Sequence, residues 1–144
     1  MTRRHPALWL TKPVRRRHPE RDEQAHIVRL LRTLGAEVWA LGTTRRRSDY
    51  QGTNQTPGLP DVEAFMPAPD GGRVLLVVEV KAPGGRLRPD QVRFRDCCRA
   101  AGIAHVTGGV DAVIAWLVDH DYLNRNHVAW YRLPLEDPDA VSQP

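Results

Sequence analysis

The chain has 144 residues, one domain on the usual scale of roughly 100 to 200 residues, and two large domains are excluded. Hydrophobic residues make up 41% of it, enough for a single core, yet its purely apolar stretches, such as Val74 to Val78 and Ala112 to Val118, fall far short of the roughly 20 residues of a membrane-spanning helix. The formal net charge of +4 comes from 21 cations against 17 anions, but six of those cations lie in the first 17 residues, which contain no acid, so a basic arm rather than the domain carries the excess.

Residues 1–18 show no sustained periodicity and read as that arm. From Pro19, which suits a first helical turn, Ile27, Leu30, Leu31 and Leu34 recur at helical spacing until Gly35 ends the run. Glu23 precedes Ile27 by four residues and Leu30 by seven. It therefore falls on or beside the apolar stripe, where a carboxylate is costly without a partner. Residues 36–41 alternate as a short strand. Residues 42–58 are polar, lack an apolar period and contain Arg45, Arg46 and Arg47; so long a loop in a small domain marks function or disorder.

Residues 61–66 predict a second strand and 67–72 a turn. Residues 74–80 form a largely β-branched run, expected at the centre of a sheet with both faces buried. Pro83, Gly84 and Gly85 break it, and Pro89 opens a helix to Ala101 that Gly102 closes. Residues 103–107 predict a fourth strand. Asp111 is expected to cap a third helix with Val113, Trp116, Leu117 and His120 at helical spacing, and residues 128–133 an added edge strand. The order α, β, β, β, α, β, α is that of a mixed α/β layer fold, with an arm at 1–18, a domain at 19–122 and a C-terminal extension at 123–144. Cys97 and Cys98 are adjacent, so they cannot staple distant segments and lack zinc-ligand spacing; buried, reduced thiols of a cytoplasmic protein are expected.

Strand alternation puts Glu79 and Lys81 on one face of the central strand, directly after five apolar residues. An isolated Glu-x-Lys is most often a plain salt bridge. Here, however, Pro60-Asp61 opens the preceding strand, so hairpin pairing would bring the carboxylates of Asp61 and Glu79 together. Like charges at one point repel unless a cation lies between them. Mg²⁺ suits that position, because it takes one or two carboxylates, retains waters and accepts phosphate oxygens, and the Val80 carbonyl can add a ligand.

The segment Gly58-Leu59-Pro60-Asp61, then Glu79-Val80-Lys81, then Gln91 ten residues on, with Glu23 on a helix ahead of the first strand, resembles the PD-(D/E)XK nuclease superfamily and within it the VRR-NUC (virus-type replication-repair nuclease) branch. The resemblance covers about Asp22 to Leu117. It implies a restriction-endonuclease-like αβββαβ core with a small mixed sheet flanked by helices, and phosphodiester hydrolysis on DNA. It further implies one or two Mg²⁺ ions, or Mn²⁺ in their place, held by Asp61, Glu79 and the Val80 carbonyl, with Glu23 reaching a second ion or a water of the first. Lys81 would orient the attacking water and offset charge on phosphorus. Gln91 shares a helix face with Phe94, Cys98 and Ala101, so its amide should point at the sheet, within reach of Lys81 or the phosphate.

The expected function is thus a Mg²⁺-dependent DNA endonuclease acting on Holliday junctions or other branched DNA in replication, repair or recombination. A homodimer is expected, since a four-way junction needs two symmetric cuts. Arg45, Arg46, Arg47, Arg86 and Arg88 are the expected DNA contacts. The alternative is a non-catalytic nucleic-acid-binding module that keeps the fold, although binding alone has no need of clustered carboxylates facing phosphates.

Overall fold

The computed structural model describes residues 19–41 and 56–133. Along these the elements are α1 (Pro19–Thr33), β1 (Glu37–Ala40), β2 (Val62–Pro67), β3 (Arg73–Val80), α2 (Pro89–Ala100), β4 (Ala104–Gly108) and α3 (Val110–Asp119), followed by a 3₁₀ turn (Arg125–His127) and one helical turn, α4 (Val128–Tyr131). The strands lie in the order β1-β2-β3-β4. β1, β2 and β3 form an antiparallel meander, while β4 runs parallel to β3 because α2 makes the crossover between them.

The two faces of this sheet differ. On one, Val62, Ala64 and Met66 of β2 and Leu76, Val78 and Val80 of β3 meet Ile27, Leu30 and Leu31 of α1 and Val113, Ile114 and Leu117 of α3 in the main core. Period-2 alternation then sends Val77 and Glu79 to the other face, beneath α2, whose inward side carries Gln91 and Cys98. The structure thus sets the candidate residues Glu79 and Gln91 on the more polar layer beneath α2. Among the described residues no helix is long and apolar enough to cross a membrane.

Several local expectations change. β3 is buried only from Leu76 onward; Arg73 and Val74 are exposed because the hairpin runs past the helices at that end. α3 is capped by Gly109 rather than Asp111, and residues 128–133 form helical turns instead of an edge strand. There the Asn124 side chain accepts from the Asn126 N–H at 2.9 Å and starts the 3₁₀ turn, while Val128 and Tyr131 pack on the core at i, i+3 spacing. Leu123 is itself buried, so the packed body runs past residue 122. Cys98 is buried as expected, but Cys97 is exposed. The expected arm and the Arg45, Arg46 and Arg47 run lie outside the described residues.

Gly58 joins the approach to β2 to the start of α2. Its φ is +91°, and a Cβ placed on it would sit 2.8 Å from the Asp90 carbonyl oxygen, a backbone atom that cannot step aside. Gly84 also has positive φ (+79°) but faces open space. Gly58→Ala should therefore lose at least about 2 kcal/mol of unfolding free energy in urea, and Gly84→Ala only about 1 kcal/mol. Equal losses would show that the contact with α2 adds nothing.

Candidate active site

The site begins with strand register. β2 and β3 pair with Val62 opposite Val78, and the Asp61 N–H donates to the Val78 carbonyl at 3.1 Å, so the chain enters the sheet with Asp61 alongside Glu79. The Asp61 carboxylate turns onto the end of β3: its Oδ2 accepts the Val80 N–H at 2.8 Å. Two donors grip its carbonyl as well, the Leu41 N–H at 2.8 Å and Gln24 Nε2 at 3.1 Å. Asp61 is thus held at both its carbonyl and its side chain.

Glu79 is only 3% exposed. Its Oε1 takes Lys81 Nζ at 3.2 Å and Gln91 Nε2 at 2.5 Å. Gln91 reaches it because the same amide closes the start of α2: Gln91 Oε1 accepts the Arg88 N–H at 2.9 Å, which leaves the NH₂ group to face Glu79. The side chain points at the sheet as expected, and its hydrogen-bond partner there is Glu79, on the same oxygen that takes Lys81. Burial first, and then the nearby charge of Asp61, raise the Glu79 carboxyl from 4.5 to about 7 against the opposing pull of Lys81. Asp61, Glu79, Lys81 and Gln91 form one connected group, with Val80 bound into it through its N–H.

Glu23 is engaged beside this group rather than bonded into it, next to Gly108, which pairs with Val80 and accepts the Lys81 N–H at 3.1 Å. Glu23 Oε2 accepts the Val110 N–H at 2.5 Å and packs on Gly109, where a Cβ would fall 2.5 Å from that oxygen. This is the partner its place on the apolar stripe required: the carboxylate caps α3 from another helix, at the end where a helix favours negative charge. Among the described residues no group of three His, Cys, Asp or Glu side chains converges as metal ligands. Arg86 and Arg88 are both exposed on the loop between β3 and α2, and Arg88 pairs with Asp90 at 3.6 Å.

Gln24 and Glu20 were not singled out by sequence reasoning. Gln24 holds the Asp61 carbonyl, and Glu20 accepts the Ala82 N–H at 3.4 Å just past Lys81. The available signal was helical phase: residues 20, 24 and 27 share a face, so the polar head of α1 continues the stripe of Ile27 over the strand ends.

The raised carboxyl links the site to stability. Because the Glu79 pKa is higher folded than unfolded, its contribution is complete below about 4.5 and disappears as pH rises through about 7. In chelator-treated protein the unfolding free energy should fall by roughly 3 kcal/mol across that window through this group, and Glu79→Gln should flatten the decline. Urea melts at a series of pH values read this directly; an unchanged slope in the variant would show that Glu79 does not hold the proton.

The comparisons with known proteins agree with this architecture. The family model described as the VRR-NUC domain matches residues 9–112. A solved structure described as a VRR_NUC domain aligns with a TM-score of 0.50 and 24% identity over 70% of this chain and 95% of that one, a likeness of fold. The search of curated proteins finds no match. With the family match spanning well over half of the chain, and with a four-stranded mixed sheet flanked by helices beneath it, the protein belongs to the VRR-NUC domain family of nucleases.

Proposed function

We propose that this protein is a divalent-metal-dependent DNA endonuclease whose reacting group is centred on Asp61, Glu79 and Lys81. The observation that carries the reading is the pairing of two carboxylates at the ends of neighbouring strands, one of them buried and raised to about 7 by its surroundings. Such a pair is destabilised in isolation, and a cation relieves both causes by neutralising the charge. The donor set is all oxygen, which suits Mg²⁺ or Mn²⁺ held by Asp61, Glu79 and the Val80 carbonyl. When bound, the ion would polarise a phosphoryl oxygen and lower the pKa of an attacking water.

The chain's own residues supply the rest. Lys81 is tethered to Glu79 at 3.2 Å, so its ammonium is aimed before substrate arrives and can orient the attacking water and offset charge on phosphorus. Gln91 keeps Glu79 from swinging away, and Gln24 does the same for the Asp61 backbone. Glu23, engaged at the start of α3, acts in this proposal by positioning that helix. Branched DNA is the proposed substrate and a two-fold homodimer the proposed working form, for the symmetry reason given above. The deciding assay incubates labelled linear, flap and four-way DNA with the protein in Mg²⁺, Mn²⁺ or EDTA. Metal-dependent cleavage supports the reading, selective paired cuts in the four-way substrate support its finer part, and no cleavage of any substrate overturns it.

Ion uptake should displace the proton that Glu79 holds. At pH 6.5, calorimetric titration of Mn²⁺ in buffers of different ionisation enthalpy should show net proton release, and affinity should fall as pH drops below about 7. Asp61→Asn should abolish the site; a variant binding Mn²⁺ as well as wild type would remove Asp61 from the ligand set.

Lys81→Ala should lower the cleavage rate by more than about 10²-fold while DNA affinity stays within a few-fold, the signature of an interaction made in the transition state. Retained cleavage would exclude the role given to Lys81.

A further inference from the structure

A second feature lies on the same sheet face, one strand farther out. A cavity of about 460 Å³ opens between α2 and β4, lined among others by Arg86, Arg95, Arg99, His105 and Thr107. α2 contributes Val92, Arg95 and Arg99, spaced at i, i+3 and i+7, so one stripe of the helix overhangs β4 beside the stripe that carries Gln91. On β4, Thr107 lies directly opposite Glu79 in the parallel register and His105 opposite Val77. The cavity floor is therefore only about 4.8 Å, one strand spacing, from the strand that bears Glu79.

The chemistry of this cavity is cationic and incomplete. Arg95 bonds to the exposed neighbour Asp96 through Nε and Nη2 at 3.0 and 2.9 Å, while Arg86 and Arg99 have no partner among the described residues. Of the described residues, three arginines and no carboxylate line the cavity. His105 Nδ1 is the one fully covered side-chain polar atom among the described residues that lacks a hydrogen-bond partner. His105 lines the cavity together with the three arginines, so its ring lies next to whatever the hollow holds. Burial first, then the charges of Arg99 and Arg95, hold the imidazole below its ordinary range.

We infer that the α2–β4 cleft is a phosphate-binding subsite that takes a phosphodiester of the substrate strand next to the one cleaved, gripped by Arg86, Arg95 and Arg99 over His105. Arginine suits this task because its planar fork matches two phosphate oxygens at once. The inference rests on the nuclease reading and adds a direction to it, since the strand would leave the carboxylates across β4 and along α2.

Two measurements on the full chain in EDTA test it. In the first, duplex DNA affinity is followed against salt for wild type, Arg99→Ala, Arg95→Ala/Arg99→Ala and, as a charge-matched control, Arg125→Ala. The slope of log K against log salt should flatten by about 0.9 for Arg99→Ala and about 1.8 for the double variant, with affinity down tenfold or more, and by nothing for Arg125→Ala. In the second, the His105 ring signals are observed by NMR during titration with a phosphodiester-linked thymidine dinucleotide and, separately, inorganic phosphate. The dinucleotide should shift them in wild type but not in the double variant. Response to inorganic phosphate alone would overturn the strand assignment in favour of a free-anion site, and wild-type slopes with an unmoved His105 would overturn the subsite altogether. Dinucleotide binding by a protein that cleaves no DNA would leave the subsite standing and remove the nuclease reading instead.

Discussion

Everything at this site depends on one pairing register. With Val62 opposite Val78, the next residue outward on β2 is Asp61 and on β3 is Glu79, so two acids meet at a strand end that the core below has already committed. A slip of one residue would turn Val62, Ala64 and Met66 away from α1 and α3, which the burial of those side chains forbids. The apolar core thereby enforces a like-charge contact that no isolated hairpin would choose, and the Val80 N–H and Lys81 ammonium offset part of its cost.

The second support is a single amide. Gln91 closes the first turn of α2 with its oxygen and holds Glu79 with its nitrogen, so the helix cannot shift without releasing the carboxylate. Gly58 presses the approach to β2 against the same turn, and α2 therefore references both acids at once. A hydrophobic contact at this position would tolerate sliding; a buried amide with both ends engaged does not, because each lost bond leaves an unsatisfied polar group.

α1 performs a similar service from the opposite face. Its apolar residues bury in the core while its first turns place Glu20, Glu23 and Gln24 over the ends of β3, the start of α3 and the Asp61 carbonyl. Each of these side chains accepts from, or donates to, a backbone group where an element begins or ends. The helix is thus a structural member along its length and a polar clamp at its head, and Glu23 shows how an acid in a sequence motif can be occupied by the fold itself.

Much of this was legible in the residues. Helical spacing from Ile27 to Leu34, the Gly35 and Gly102 stops and the run into Val80 set the elements within a residue or two, and Pro60-Asp61 with Glu79-x-Lys81 announced the acidic pair, because these signals are local and periodic. What the chain alone could not express were relations between distant segments. The cap that Glu23 lends to α3 joins residues 87 apart, the Gln24 bond to Asp61 spans 37, and neither has a sequence period to reveal it. The helical turns at 128–131 replaced an expected strand because apolar residues at i and i+3 found a core to pack on, a choice that short alternation cannot distinguish by itself. The sequence by itself determined which residue types would meet and in what local conformation; the tertiary structure decided which oxygen faces which nitrogen, because that depends on how whole elements pack once the core has closed.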